Sequence, residues 1–189
     1  MKFETRKEEI IKVAATLFKE KGYSAVTMRD IAAEMGMKAA SLYNHISSKQ
    51  HILKDIIIKL AEEFTTGLTQ IKNSKATSLE KMQAIVALHI KITSSNTDGM
   101  ASLNNDWMHL EEKLEYYLKL RSDYEDDIRV IIKDGILKKE IADVSVDVIL
   151  FSMLSTLRSL YLWIPKKDDL HPEKLTKDLS KVLISGVNK

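Results

Sequence analysis

Residues 27–49, TMRDIAAEMGMKAASLYNHISSK, decide the fold of this 189-residue chain. They read as two short helices joined by a tight turn. Thr27 can cap the first helix, with Asp30 three residues on standing in for the Glu or Gln of a capping box. Ile31 and Met35 give that helix an apolar side, and Ala32 is small where a second helix must pass close. Gly36, four residues later, falls where a positive φ is wanted, a conformation glycine adopts freely. Leu42 lies six residues beyond the glycine and points back into the same small core. Small, glycine and apolar residues at these offsets are the spacing of a helix-turn-helix, whose second helix enters a DNA major groove. That helix, Lys38 to about His45, carries Lys38, Ser41, Tyr43, Asn44 and His45 as groove-facing or phosphate-facing candidates. The alternative is that Gly36 merely ends one amphipathic helix before another begins.

The rest of the chain suits an all-α protein of one or two domains with a sizeable core. Hydrophobic residues make up 44%, glycine (6) and proline (2) are scarce, and no clear strand alternation occurs. The absence of cysteine excludes disulfides and thiolate chemistry and fits a reducing cytoplasm. The start, MKFETRKEEI, has charges and no apolar run, so no signal peptide is expected. Residues 146–164, VDVILFSMLSTLRSLYLWI, approach a membrane-spanning length, but Asp147, Arg158 and several hydroxyls interrupt them. A buried bundle helix is the better reading, and no membrane partner is expected. Residues 1–50 carry nine Lys/Arg against six Asp/Glu, whereas the remainder carries 20 against 21. A modestly basic head on a near-neutral body fits a DNA reader joined to a separate sensing domain.

Apolar spacing predicts about nine helices. The first runs from about Thr5 to Lys21 with Ile10, Val13, Ala14, Leu17 and Phe18 inward, and Gly22 ends it. Ser47 or Ser48 caps a long fourth helix, about Lys49 to Lys72, with Ile52, Leu53, Ile56, Ile57, Leu60 and Phe64 as its stripe. Thr77 and Glu80 form a capping box for a fifth helix, about Ser78 to Thr93. SSNTDG (94–99) reads as a loop, followed by helices at about Met100–His109 and Glu111–Lys139. Ser145 caps the eighth helix and Pro165 closes it. Pro172 opens the ninth, which ends near Gly186 and has His171 where a better cap is usual.

Residues 8–53 resemble the N-terminal domain of TetR/AcrR-family transcription regulators almost end to end. The matching pieces are LFKEKGYSAVTM, RDIAAEMGM and the turn into KAASLYNHISSKQHIL. Leu42, Tyr43, Ser47, Ser48 and Lys49 fit the family pattern after the glycine. Ile46 stands where Phe is usual and still supplies an apolar plug, and His51 replaces a common Glu. The resemblance implies a three-helix DNA-binding domain at 1–50 and a helical ligand-binding and dimerisation domain at 51–189. It assigns phosphate contacts to Thr27, Tyr43, His45 and Lys49, and base reading to Arg29, Lys38, Ala39, Ser41 and Asn44. Ala39 or Ala40 would touch a thymine methyl. Thr27 as a cap alone, Lys49 as a solvated helix start and Tyr43 as core with a wet hydroxyl remain open. One head makes few contacts, so a two-fold dimer on a near-palindromic double-stranded operator is expected.

In the body, Ser152, Ser155 or Thr156, and Ser159 form a small-residue row on the eighth helix. In the resembled family the last two helices pair with their symmetry mates, which places Leu175, Leu179 and Leu183 in the same interface. An ordinary intramolecular core is the alternative. A sensing pocket among the fourth to eighth helices would draw on Trp107, Met108, Tyr116, Tyr117, Arg121, Tyr124, Met153, Arg158 and Trp163. Aromatic and Met side chains at helical spacing also serve as plain core. Arg158 needs either an internal carboxylate or an acidic ligand. Residues 105–141 and 160–187 more diffusely resemble regulators of fatty-acid and steroid catabolism that respond to acyl-CoA thioesters, which implies an apolar or acyl-CoA-like effector.

The expectation is therefore a cytoplasmic, dimeric, ligand-responsive transcription regulator, a repressor released by its effector. The alternatives are an architectural DNA binder without an effector and a helical-bundle enzyme. The five histidines show no HxxxH or ExxH metal spacing and no GxSxG or phosphate loop occurs. No cofactor or metal is expected.

Overall fold

The computed structural model describes residues 5–167 and 169–186. Residues 1–4 of the charged start, and Val187 beyond the ninth helix, lie outside the described residues. Among the described residues there are nine α-helices and no strand. These are α1 (Arg6–Lys21), α2 (Met28–Glu34), α3 (Ala39–Tyr43), α4 (Lys49–Lys72) and α5 (Ser78–Ser95), then α6 (Thr97–Asn105), α7 (Leu114–Leu137), α8 (Val146–Trp163) and α9 (Pro172–Ser180). The chain falls into two compact units, Met1–Ala61 with Asp98–Leu118, and Glu62–Thr97 with Lys119–Lys189. Residues 98–118, which lie in sequence between the two segments of the second unit, thus group with the N-terminal residues.

In the first unit, capping chemistry sets the helix starts. The Thr5 hydroxyl accepts from the Glu8 N–H at 3.2 Å while the Glu8 carboxylate accepts from the Thr5 N–H. Thr27 and Asp30 make the same reciprocal pair for α2. Gly36 then adopts φ +63°, the Met37 N–H reaches the Ala32 carbonyl at 2.9 Å and the Gly36 N–H reaches Ala33 at 3.0 Å. This is the closure of a helix end that a left-handed residue permits. Leu42 and Ile46 are almost completely buried beside Ile31, Ala32, Ile10 and Phe18. Ile46 fills the plug position expected of an aromatic. Ser48 Oγ accepts from the His51 N–H at 3.0 Å and caps α4.

Two boundaries differ from the sequence reading. No loop occupies 94–99: α5 runs to Ser95 and α6 starts at Thr97. The polar residues of α6's first turn are held from α1, where Thr16 Oγ1 and Lys19 Nζ donate to Asp98 at 2.8 and 2.7 Å. The helix also ends early, at Asn105, and Trp107–His109 form a 3₁₀ turn.

The second unit is built on α5, which packs against α8 and α9. Met82, Ile85, Val86, Ile90 and Ile92 supply its buried side. Gly67 of α4 lets α5 pass close, since a Cβ there would lie 2.6 Å from Leu88 Cδ1. Ser145 stands at the start of α8 as expected, but its side chain makes no capping bond. Residues Val146–Lys166 are long and apolar enough to cross a membrane by length and composition. One side, with Leu150, Met153, Leu154, Leu157, Leu160 and Tyr161, is buried in this unit, and the other is exposed.

Candidate nucleic-acid interface and sensing residues

Burial of Leu42 and Ile46 fixes the rotation of α3 and the turn after it, and therefore what faces outward. Arg29, Lys38, Ala40, Ser41, Asn44 and His45 are exposed, Tyr43 is 54% exposed, and Ala39 is half-buried. The surface so presented combines a guanidinium, an ammonium, an amide, hydroxyls, an imidazole and a methyl. These are the groups that read base edges and hold phosphates.

Two of the expected contact residues have other work. Thr27 Oγ1 donates to Asp30 Oδ2 at 2.6 Å and accepts from the Asp30 N–H at 3.2 Å, so its hydroxyl is occupied as a cap. That arrangement holds the Asp30 carboxyl below the usual range. Lys49 is half-buried, and its Nζ donates to the carbonyls of Tyr23 (2.9 Å) and Val26 (2.8 Å). The same ammonium lies 4.2 Å from the centroid of the Tyr23 ring. Lys49 thus ties the start of α4 to the turn between α1 and α2.

The sensing candidates divide between the units. In the first, Trp107 is half-buried and its ring lies 6.0 Å from that of Tyr117. The Tyr117 hydroxyl donates to the Leu103 carbonyl, and Met108 is exposed. In the second unit Met153 is fully buried. Arg158 has the internal carboxylate: its Nη2 donates to Glu125 Oε1 at 2.7 Å, and Arg121 Nε lies 3.5 Å from the same oxygen. Burial works against ionisation of Glu125, but Arg158 and Arg121 outweigh it and hold the carboxyl below the ordinary range.

Sequence reasoning missed the group around Tyr124. Its hydroxyl meets Nε2 of the buried His89 at 2.9 Å, and the imidazole lies 4.6 Å from the Phe64 ring centroid. Burial, with the nearby Arg158 charge, pushes the His89 pKa down to about 3, so the ring is neutral. Burial also raises the Tyr124 phenol above its usual value, against the opposing Arg158 charge. The available signal was the pairing of His89 and Thr93, two polar residues four apart within the apolar stretch IVALHIKIT.

On α8 the serine row faces outward. Ser152, Ser155 and Ser159 are exposed beside Val148, Phe151 (73% exposed), Leu162 and Trp163, while the neighbouring leucines face in. The hydroxyls of Ser152, Thr156 and Ser159 donate to Val148, Ser152 and Thr156 carbonyls of their own helix. Their hydrogen bonds are satisfied locally, which leaves a small, largely apolar face. Leu175, Leu179 and Leu183 are half-buried.

Together, a helix-turn-helix with polar groups outward and a separate helical unit define a DNA-binding regulator. The profile "Bacterial regulatory proteins, tetR family" matches residues 10–56, and "Tetracyclin repressor-like, C-terminal domain" matches residues 75–187. The HTH-type transcriptional repressor KstR2 of Rhodococcus jostii is 27% identical over 142 residues, 72% of this chain and 70% of that one. The Staphylococcus aureus regulator IcaR, a negative regulator of the biofilm operon icaADBC, is 37% identical over 70 residues, 37% of each chain. The solved ketosteroid transcriptional regulator KstR2 of Mycobacterium tuberculosis superposes with a TM-score of 0.89 at 20% identity, covering 100% of this chain and 97% of that one. The chain belongs to the tetR family of bacterial regulatory proteins. It is a ligand-responsive, DNA-binding transcription regulator and not an enzyme; members of this family bind operator DNA and small-molecule effectors as dimers.

Proposed function

We propose that this protein is a cytoplasmic repressor that leaves a near-palindromic operator when a small apolar or acyl-CoA-like molecule occupies its C-terminal half. Residues 1–50 read DNA, and residues 51–189 sense and dimerise. The observation that carries the reading is the outward set of Lys38, Ser41, Tyr43, Asn44 and His45 around a fully buried Leu42. Lys38, Ser41 and Asn44, with Arg29, Ala39 and Ala40, read bases, whereas Tyr43 and His45 hold phosphates. Thr27 and Lys49 support this surface by capping α2 and anchoring α4. Similarity to repressors named for ketosteroid regulation supports an apolar effector.

The dimer forms through the outward face of α8, with Phe151, Ser152, Ser155, Thr156 and Ser159, and through Leu175, Leu179 and Leu183. Four exposed large apolar side chains on one helix support a partner there. Because α4 contributes residues to both units, a change in the sensing half reaches the DNA-reading half through continuous helix. Selection of bound sequences from random duplexes should return a symmetric site, and sedimentation should show dimers. Apolar metabolite extracts should lower affinity for that site. Failure to select a symmetric site, or single chains at working concentration, refutes the proposal.

A further inference from the structure

Among the described residues, three buried polar atoms of the second unit have no partner, Nδ1 of His89, Oγ1 of Thr93 and Oγ of Ser180, and the first two stand together on α5. His89 is 3% exposed and Thr93 0%, so neither is satisfied by bulk solvent. They lie four residues apart on α5 and therefore share one face of it. Buried polar atoms without partners are rare in folded proteins because each carries its full desolvation cost. Both atoms are therefore open to a partner that a bound molecule could supply.

The tautomer of His89 decides what the ligand must offer. If the Tyr124 O–H donates to Nε2, the ring proton sits on Nδ1 and a single N–H is left over. In the reverse arrangement Nε2–H donates to Oη, and the phenol proton and the Nδ1 lone pair are both left unpaired. The first arrangement is the less costly, so Nδ1–H is an unpaired donor. The Thr93 hydroxyl is a second donor one turn away. The depressed basicity of His89 agrees, since a neutral ring holds its Nε2 lone pair for Tyr124. The rings of Phe64 and Tyr124 supply the apolar surround.

We infer that His89 and Thr93 form the specificity point of the effector site and that they recognise a carbonyl oxygen on an otherwise apolar molecule. A carbonyl has two lone pairs and no proton, so it can accept from Nδ1–H and from the hydroxyl, whereas a hydrocarbon leaves both donors unpaired. The inference rests on the effector reading above and names the chemistry that reading leaves open.

The test has a ligand-free arm and a ligand arm. Thr93→Val keeps the shape of the side chain and removes the orphan hydroxyl. It should raise the Tm of the ligand-free protein; a lowered Tm means that the hydroxyl is already satisfied and overturns the inference. Histidine ¹⁵N resonances should place the His89 proton on Nδ1, and a proton on Nε2 overturns it equally. For the ligand arm the probes are 2-decalone and 2-decanone, with decalin and decane as their hydrocarbon counterparts, measured by calorimetry and by operator release. At least one ketone should bind about tenfold more tightly than its hydrocarbon, and this preference should vanish in Thr93→Val with His89→Phe. Whether the ring or the chain ketone shows it identifies the frame. Absence of any ketone preference, or its persistence in the double variant, overturns the inference. Operator release by apolar extracts under those same conditions would leave the repressor reading intact, so the two can fail separately.

Discussion

Replacing Lys49 by Met separates anchoring from DNA contact. The substitution keeps the aliphatic stem and deletes the ammonium that donates to the carbonyls of Tyr23 and Val26. Hydrogen bonds to a charged group contribute roughly 1.5–3 kcal/mol each, and a partly exposed cation over an aromatic ring adds about 0.5–1 kcal/mol. The Tyr23 carbonyl keeps a second donor, the Val26 N–H at 3.3 Å, and partial exposure lets water replace part of what is lost. The expected net loss is therefore about 2 kcal/mol, read as a lower urea midpoint at constant m-value. Salt dependence is the second measurement. A lysine on a phosphate contributes about 0.9 to the slope of log K against log salt, so loss of one such contact per head flattens a dimer's slope by about 1.8. Anchoring predicts an unchanged slope for Lys49→Met. Lys38→Gln supplies the contrast, because Lys38 is exposed at the start of α3. With Lys38 as a base reader, that variant should lose about 1–3 kcal/mol of operator affinity and relax specificity, while stability moves by no more than about 0.5 kcal/mol. A flattened slope with undiminished stability in Lys49→Met would refute the anchoring argument and return Lys49 to the phosphate contacts.

Gly36→Ala meets open space but holds φ at +63°, so the backbone alone should cost about 1–2 kcal/mol in denaturant unfolding. Phe151→Arg puts a charge on the exposed face of α8 and should yield monomers in sedimentation equilibrium with the helical content unchanged. Operator affinity should fall with the dimer. His89 has a folded pKa of about 3 against an ordinary 6.5, so between those values the unfolded chain binds the extra proton. Its contribution to stability is thus intact above pH 6.5 and declines by up to about 1.4 kcal/mol per pH unit as pH falls below that. Denaturation curves from pH 7 to pH 5 should show this decline in the parent protein and lack its His89 component in His89→Phe.

The helix-turn-helix was legible because its determinants are local. Thr27 finds Asp30 three residues away, Gly36 closes onto Ala32 and Ala33, and Leu42 is apolar at the offset where the core requires it. The residues whose roles changed have partners that spacing does not encode. Lys49 reaches backbone carbonyls 26 and 23 residues earlier, and a carbonyl leaves no mark on residue type. Asp98 is held by α1 from 82 and 79 residues away, which turns an expected loop into a helix start. On α8 the period of 3.6 was plain, yet small residues and leucines both follow it, and the pattern alone could not say which row faces in. His89 was weighed only as a metal ligand, because an isolated histidine in an apolar helix offers no partner in the sequence. Its meaning depends on Tyr124, which lies 35 residues away on another helix. DNA reading can be inferred from a short motif because the duplex is a fixed partner with known geometry. Effector reading has no such fixed partner, so its evidence is three-dimensional: polar atoms that the fold buries and leaves unpaired.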